Sequence, residues 1–334
     1  MHEKIACTAT GNVIAWLDVA TTDAQDPARI QQQWMQMEYT QMDAGAFSGR
    51  FRMLRMPGTL VVNELQNRSV LKQQHSPENY CTVSMLRSVS GKGRCGLDVL
   101  SGASAGFMPG GRDYEVLLPS SEILYFGFEQ SRLQQVADVM GFDLPGRGRR
   151  PVFLEGLNTA GLDGLAQELM SLQQTARLGS LANSQFAYLD KVVLERVLDI
   201  LIEMPSGTVR GPAASFHRVA QKAREVIEDR HDELLTVSTL CEALNVSRGT
   251  LQRAFLHAYG ISPLAFLRLR RLQGARRALL AARGTGANVA SVAMAWGFFH
   301  LSRFSQAYSQ HFGELPSVTL GRRLGLGDQP GNPG

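Results

Sequence analysis

Two short clusters of arginine, glutamine and histidine are spaced so that their side chains could read nucleic-acid base edges. In NVSRGTLQRAF, which begins at Asn245, Leu251, Phe255 and Tyr259 fall on one face of a helix. That leaves Arg248, Gly249, Thr250, Gln252 and Arg253 on the other face. Further on, FFHLSRFSQAY repeats the pattern: Phe304 and Tyr308 take the inner face, and His300, Ser302, Arg303 and Gln306 remain outside. A glutamine amide can bond adenine at two points, and a planar guanidinium can span two guanine acceptors or grip a phosphate. Arg303 and Gln306, three residues apart, share a face.

The elements that position these groups are also written twice. Each cluster ends on the same stop signal, Tyr259-Gly260-Ile261-Ser262-Pro263 and Phe312-Gly313-Glu314-Leu315-Pro316. Each is preceded by a short apolar helix, in which Val292 matches Leu240 and Ala293 matches Cys241. A small residue at the second of these positions lets the following helix cross closely. Val246 fills the first turn and Ser247 can N-cap the helix behind it. The second turn is one residue longer, at Trp296-Gly297-Phe298, where Gly297 suits a positive φ. Between the copies, SPLAFLRLRRLQGARRALLAA predicts one helix over 263–282, with Ser262 as N-cap and Pro263 in its first turn. Phe266, Leu267, Leu272, Ala275 and Leu279 are expected inside. Arg268, Arg270, Arg276 and Arg277 are expected outside, the first three as candidates for phosphate contact. A rigid spacer would let two such units enter successive major grooves, about 34 Å apart.

The charge distribution agrees. The 334-residue chain carries a formal net charge of +4, but residues 215–323 hold fifteen Lys or Arg against seven Asp or Glu, and the remainder is acidic. Only Lys222 among those fifteen is a lysine, and arginine suits bidentate recognition. A basic third on an acidic body implies one domain that meets a polyanion and another that does not. Hydrophobic content of 44% is that of a globular protein, and no apolar run reaches the roughly 18 residues of a membrane span. The first twenty residues lack a signal-peptide pattern, and the four cysteines have no C-x-x-C spacing. Both point to a cytoplasmic protein with reduced thiols.

Residues 47–128 read as many short strands punctuated by Gly, Pro, Asn and Ser: FRMLRM, TLVVNEL, SVLKQ, YCTVSMLRSV, GLDVLSG and ILYFGFE. A helix is predicted over 130–140, with Leu133, Val136, Ala137 and Met140 inward. Two longer helices follow. Leu162, Leu165, Leu169, Leu172 and Ala176 repeat at the spacing of a coiled-coil seam, which suits either an intramolecular helix pair or a homodimer interface. Leu189, Val193, Val197, Ile200 and Met204 line the second helix. The expected class is α+β: a β-rich domain with dimerisation helices over 1–204, a linker over 205–214, an all-α domain over 215–324 and a disordered tail over 325–334.

The duplicated unit resembles the AraC/XylS transcription regulators over the last 110 or so residues. The carriers are Ser247-x-x-x-Leu251-x-Arg253-x-Phe255, Gly260-x-x-Pro263, Arg271-Leu272-x-x-Ala275 and Ala293-x-x-x-Gly297-Phe298, completed by Phe304, Tyr308, Gly313 and Pro316. CEALNVSRGTLQRAF, WGFFHLSRF and PSVTL look most like the ethanolamine-operon, amine-responsive branch. The resemblance implies a double helix-turn-helix that binds double-stranded DNA, in which Gly249, Gln252 and Arg253 face the groove. It also implies a cupin-like effector domain, a homodimer and contact with RNA polymerase, most often as an activator.

Enzyme readings lack support in the residues. A metal-dependent cupin enzyme needs clustered histidines, and only His2 and His75 precede residue 200. Nucleophile-elbow, phosphate-loop and dinucleotide motifs are absent, so no catalytic residue, metal or cofactor is assigned. A small amine effector would need a carboxylate partner. Glu64, Asp98, Asp113 and Glu115 are candidates, with Trp34 and Tyr80 as pocket walls beside Trp16 and Phe51. An architectural DNA-binding protein and an enzyme fused to a DNA-binding module are the competing classes. His257 and His311 are expected on the surface.

Overall fold

The structure is a computed structural model that describes residues 6–7, 14–96, 98–102, 104–148, 151–174, 183–204, 214–230, 235–282 and 287–321. Most of the expected linker, the whole expected tail and Ala176 lie outside these, as does the side chain of Leu172. The chain divides into two compact units, Met1–Met42 with Phe47–Ala213, and Asp43–Ala46 with Ala214–Gly334. None of the described helices is long and apolar enough to cross a membrane.

The first unit is built on antiparallel strands. They are β1 (Ala6–Cys7), β2 (Ile14–Thr21), β3 (Gln36–Gln41), β4 (Gly49–Arg55), β5 (Thr59–Gln66), β6 (Val70–Ser76), β7 (Tyr80–Val89), β8 (Gly93–Cys95), β9 (Asp98–Leu100), β10 (Ser104–Met108), β11 (Arg112–Leu118), β12 (Ser121–Glu129) and β13 (Val152–Glu155). The helices are α1 (Gln25–Gln31), α2 (Gln130–Met140), α3 (Ala160–Gln174) and α4 (Asn183–Glu203). One sheet runs β1-β2-β4-β5-β12-β7-β10-β13 and the other β3-β6-β11-β8-β9.

Strand parity explains the layering. On β12, Leu124, Phe126 and Phe128 join a core with α2, α3 and α4, whereas Ile123 and Tyr125 turn to the other face. On β5, Val61 takes the helix side while Leu60 and Val62 take the opposite side. Both faces of these strands are covered, so they read as continuous apolar runs with no visible alternation.

Leu162 and Leu169 are buried in this same core, and Leu165 packs against it. The leucine seam is therefore spent within one chain, against the sheet and the Val193–Val197 face of α4. Of the two alternatives left open for this seam, burial of Leu162 and Leu169 fits the intramolecular helix pair, since exposing either would forfeit roughly 1.5–3 kcal/mol. On α2, Leu133 and Ala137 are buried as expected, but Met140 is 53% exposed because Gly141 ends the helix in the left-handed region at φ 75.

The second unit is helical: α5 (Ala214–Asp229), α6 (Val237–Leu244), α7 (Arg248–Tyr259), α8 (Pro263–Ala281), α9 (Val289–Ala295), α10 (Leu301–Phe312) and α11 (Pro316–Gly321). The long helix α8 is unbroken, about 28 Å by its rise per residue. Ser262 caps it by accepting from Ala265 N at 3.2 Å, with Pro263 at its start.

Candidate nucleic-acid interface and interior cavity

The two helix pairs α6–α7 and α9–α10 form by matched local chemistry. Thr236 and Thr239 make a reciprocal capping box at the start of α6, and Ser247 accepts from Thr250 N at 3.1 Å at the start of α7. Asn288 accepts from Ser291 N at 2.8 Å at the start of α9. The turn after α6 uses Asn245 in the left-handed region, φ 50. The turn after α9 uses Gly297 at φ 77, the positive φ that the sequence predicts. Three residues separate α6 from α7 and five separate α9 from α10, so the second connection is longer by two residues where the sequence predicts one.

Aromatic rows anchor both pairs to α8. Phe255, Tyr259 and Phe266 lie with ring centroids 4.8–5.3 Å apart, and Phe304, Tyr308 and Phe312 form the second row at 4.6–5.5 Å. Gly274 of α8 lies directly under the Trp296 indole. A Cβ there would come within 2.1 Å of the ring, so only glycine allows this approach. The sequence reading passed over Gly274.

Gln252, Arg253, Arg303, Gln306, Ser302, His300 and Arg248 are all exposed, on α7, on α10 and at its N-cap. The two faces differ in their tethering. Arg248 donates to Ser238 Oγ at 2.6 Å. Arg253 donates to Gly249 O at 3.3 Å and lies over the Phe216 ring of α5, 5.4 Å from its centroid. No such restraint holds Arg303 among the described residues. Phe216 is a second residue the sequence reading missed, because its partner lies 37 positions away. His300 occupies the N-cap of α10 but makes no side-chain cap bond.

The arginines of α8 need correcting. Arg268 is exposed as expected. Arg270 is half-buried, 3.9 Å from Glu228. Arg276 is buried: it pairs with Glu314 at 2.9 Å, donates to Tyr308 Oη at 3.3 Å and lies 4.5 Å from the Phe312 centroid. It is an internal clamp between α8 and the segment after α10, so it does not stand where a phosphate could reach it. Arg271, matched in the sequence reading only as a motif letter, donates to Leu235 O at 2.7 Å and holds α8 to the start of α6. His311 is also buried, edge-on to Phe312, contrary to the surface position expected for it.

The first unit holds a partly open cavity between its two sheets. Met37, Tyr39, Lys72 and Val116 line it from one side, and Glu64, Ser84, Ile123 and Tyr125 from the other. Of the residues proposed for a ligand site, Glu64 alone faces it. Its carboxylate accepts from Lys72 Nζ at 2.8 Å and from Tyr39 Oη at 3.0 Å. Gln31 donates to Tyr39 Oη at 2.9 Å and accepts from Tyr125 Oη at 2.7 Å, which completes a buried polar chain. Burial lowers the pKa of Lys72, an effect that Glu64 opposes, and pushes the Tyr39 phenol well up.

The remaining ligand candidates lie elsewhere, and parity gives the reason. On β11, Tyr114, Val116 and Leu118 share a cluster between the sheets, so Asp113 and Glu115 point the other way. Asp113 is exposed and bonded to His75 at 2.8 Å, and Glu115 is buried outside the cavity lining. Asp98 is exposed. Trp34 and Tyr80 pack beside Met35 and Met53 in neighbouring clusters, Trp34 beneath Arg55 at 5.5 Å. Among the described residues no group of three His, Cys, Asp or Glu side chains could hold a metal ion.

Comparison with known proteins places these helices. A helix-turn-helix domain profile matches residues 240–322, a span that takes in both helix pairs except the first three residues of α6. The chain is 33% identical over 109 residues to a thc operon regulatory protein of Rhodococcus erythropolis, a match covering 33% of each chain. It is 32% identical to XylDLEGF operon transcriptional activator 2 of Pseudomonas putida, over 39% of this chain and 81% of that one. The chain spans only 32–40% of the length of the relatives matched first. Among solved structures it aligns with the AraC-like transcriptional activator CuxR at a TM-score of 0.40 and 15% identity, covering 83% of this chain and 99% of that one. Identity at this level across most of the P. putida activator settles the family: the chain belongs to the AraC/XylS transcription regulators.

Proposed function

We propose that the protein is a ligand-responsive, sequence-specific DNA-binding transcription regulator in the cytoplasm, and an activator in the manner its relatives' names describe. The observation that carries this reading is the pairing of two aromatically anchored, glycine-terminated helices, α7 and α10, on one continuous helix, each presenting arginine and glutamine outward. In this reading α6–α7 and α9–α10 are two helix-turn-helix units. Gln252, Arg253, Arg303 and Gln306 contact base edges, while Arg248, His300, Ser302 and Arg268 serve the backbone or flanking bases. The β-rich unit is a cupin-like sensor whose ligand shifts the balance between conformations that engage RNA polymerase differently. A homodimer would use a face other than the Leu162–Leu169 seam.

The amine effector and the ethanolamine-operon likeness gain no support from the relatives compared above. The Glu64 carboxylate that an ammonium group would seek is already neutralised by Lys72. Nuclease footprinting of DNA upstream of neighbouring operons tests the proposal. A regulator protects a defined site made of two adjacent half-sites. Uniform, sequence-indifferent protection would return an architectural protein instead.

A further inference from the structure

The interior cavity holds one acid and one base, and they are paired with each other. The side chains of Lys72 and Glu64 are 6% and 2% exposed. Whether the proton sits on the amine or the carboxyl, the pair sums to zero charge. Around it the walls are mostly apolar, with the uncharged Gln74, Thr82, Ser84 and Ser104 among them, and four of the lining residues are the flexible methionines Met35, Met37, Met85 and Met108. A charged ligand would bring an uncompensated charge into this space or displace one member of the pair, and both outcomes are costly in a largely apolar site.

An uncharged ligand has a clear opening. An ammonium group carries three N–H donors. Among the described residues, Lys72 gives one to Glu64 and lies over the Tyr39 ring at 4.7 Å, which leaves donor capacity toward the cavity it lines. On the far side Glu64 already accepts from Tyr39 as well as from Lys72, so the acceptor end is the better satisfied of the two.

We propose that this cavity takes a small, electrically neutral, largely apolar molecule whose single oxygen acceptor bonds to Lys72. This deepens the sensor reading above and rests on it for biological meaning. The physical claim about the cavity stands or falls separately.

The test uses the full chain with methyl-13C methionine, titrated with cyclohexylmethanol, cyclohexylmethylamine, cyclohexanecarboxylate and methylcyclohexane, which share one shape and differ in charge and polarity. The alcohol should bind at least about ten-fold tighter than the amine or the acid, and should move the resonances of Met35, Met37, Met85 and Met108. In Glu64→Gln the acid should gain on the alcohol, and in Lys72→Met the amine should gain. The double variant Glu64→Gln/Lys72→Met keeps the interior neutral and guards against loss of folding in either single variant. There the alcohol should lose its advantage over the hydrocarbon. An amine or acid that binds the unaltered chain as tightly as the alcohol overturns the proposal, and so do methionine resonances that none of the four probes moves. Mobility shifts on the same samples separate the two readings: sequence-selective DNA binding that persists while the cavity ignores every probe sinks the cavity claim and leaves the regulator standing.

Discussion

The two helix pairs share a plan but are held by different means. The first is fixed by the Phe255–Tyr259–Phe266 cluster, the Ser247 cap, the Arg271 bond to Leu235 O, and Phe216 beneath the Arg253 guanidinium. The second relies on a buried ion pair, Arg276 with Glu314, and on an indole seated against Gly274, while its N-cap residue His300 makes no side-chain cap bond. The outward side chains follow the same division. Arg248 and Arg253 are tied to protein groups, whereas among the described residues no such tie holds Arg303. Ordering a free arginine costs rotamer entropy on binding, so under the proposed function α7 would be the pre-set reader and α10 the adaptable one.

Substitutions can break or sharpen this contrast. The largest effect is expected from Arg276→Ala, which strips Glu314 of its cation and should cost about 3 kcal/mol in denaturant unfolding. A cost under about 1 kcal/mol would show that the second pair does not depend on the clamp. Next, Arg303→Ala should weaken specific DNA binding by about 1–3 kcal/mol in a mobility-shift titration while leaving non-specific affinity nearly unchanged. Loss of both affinities in equal measure would make Arg303 a phosphate contact instead. Ser247→Ala should lower stability by about 1 kcal/mol through the lost cap, while His300→Ala leaves the unfolding midpoint in place. Equal losses would erase the difference in capping. The smallest effect belongs to Phe216→Leu, about 0.5–1 kcal/mol on DNA affinity, absent when Arg253 has already been replaced by alanine.

How far each half was legible in the sequence follows from where its information resides. Caps, glycine stops and helical period act over a few residues, so α7, α8 and α10 could be drawn closely from the chain alone, as could α2, whose bounds match the prediction. Arg276 was misread because its partner Glu314 lies 38 positions away and its neighbour Arg277 makes the pair look like a solvated face. The cavity was less legible still. Val61 and Val62 are both apolar and both buried, so nothing local marks which face Glu64 shares. A lysine in SVLKQ reads as solvated until β6 is placed beside β3 and β11. Several strands, β3, β10 and β11 among them, also went unread, because polar and small residues dilute their alternation.

The most direct test of the account is selection of bound sites from a random duplex pool, carried out in parallel with the unaltered chain, Gln252→Ala and Arg303→Ala. Two blocks of preferred bases are predicted, centred about one helical turn apart, with each variant relaxing only one of them. A single block, or one that both variants relax alike, would contradict the claim that α7 and α10 read separate stretches of groove.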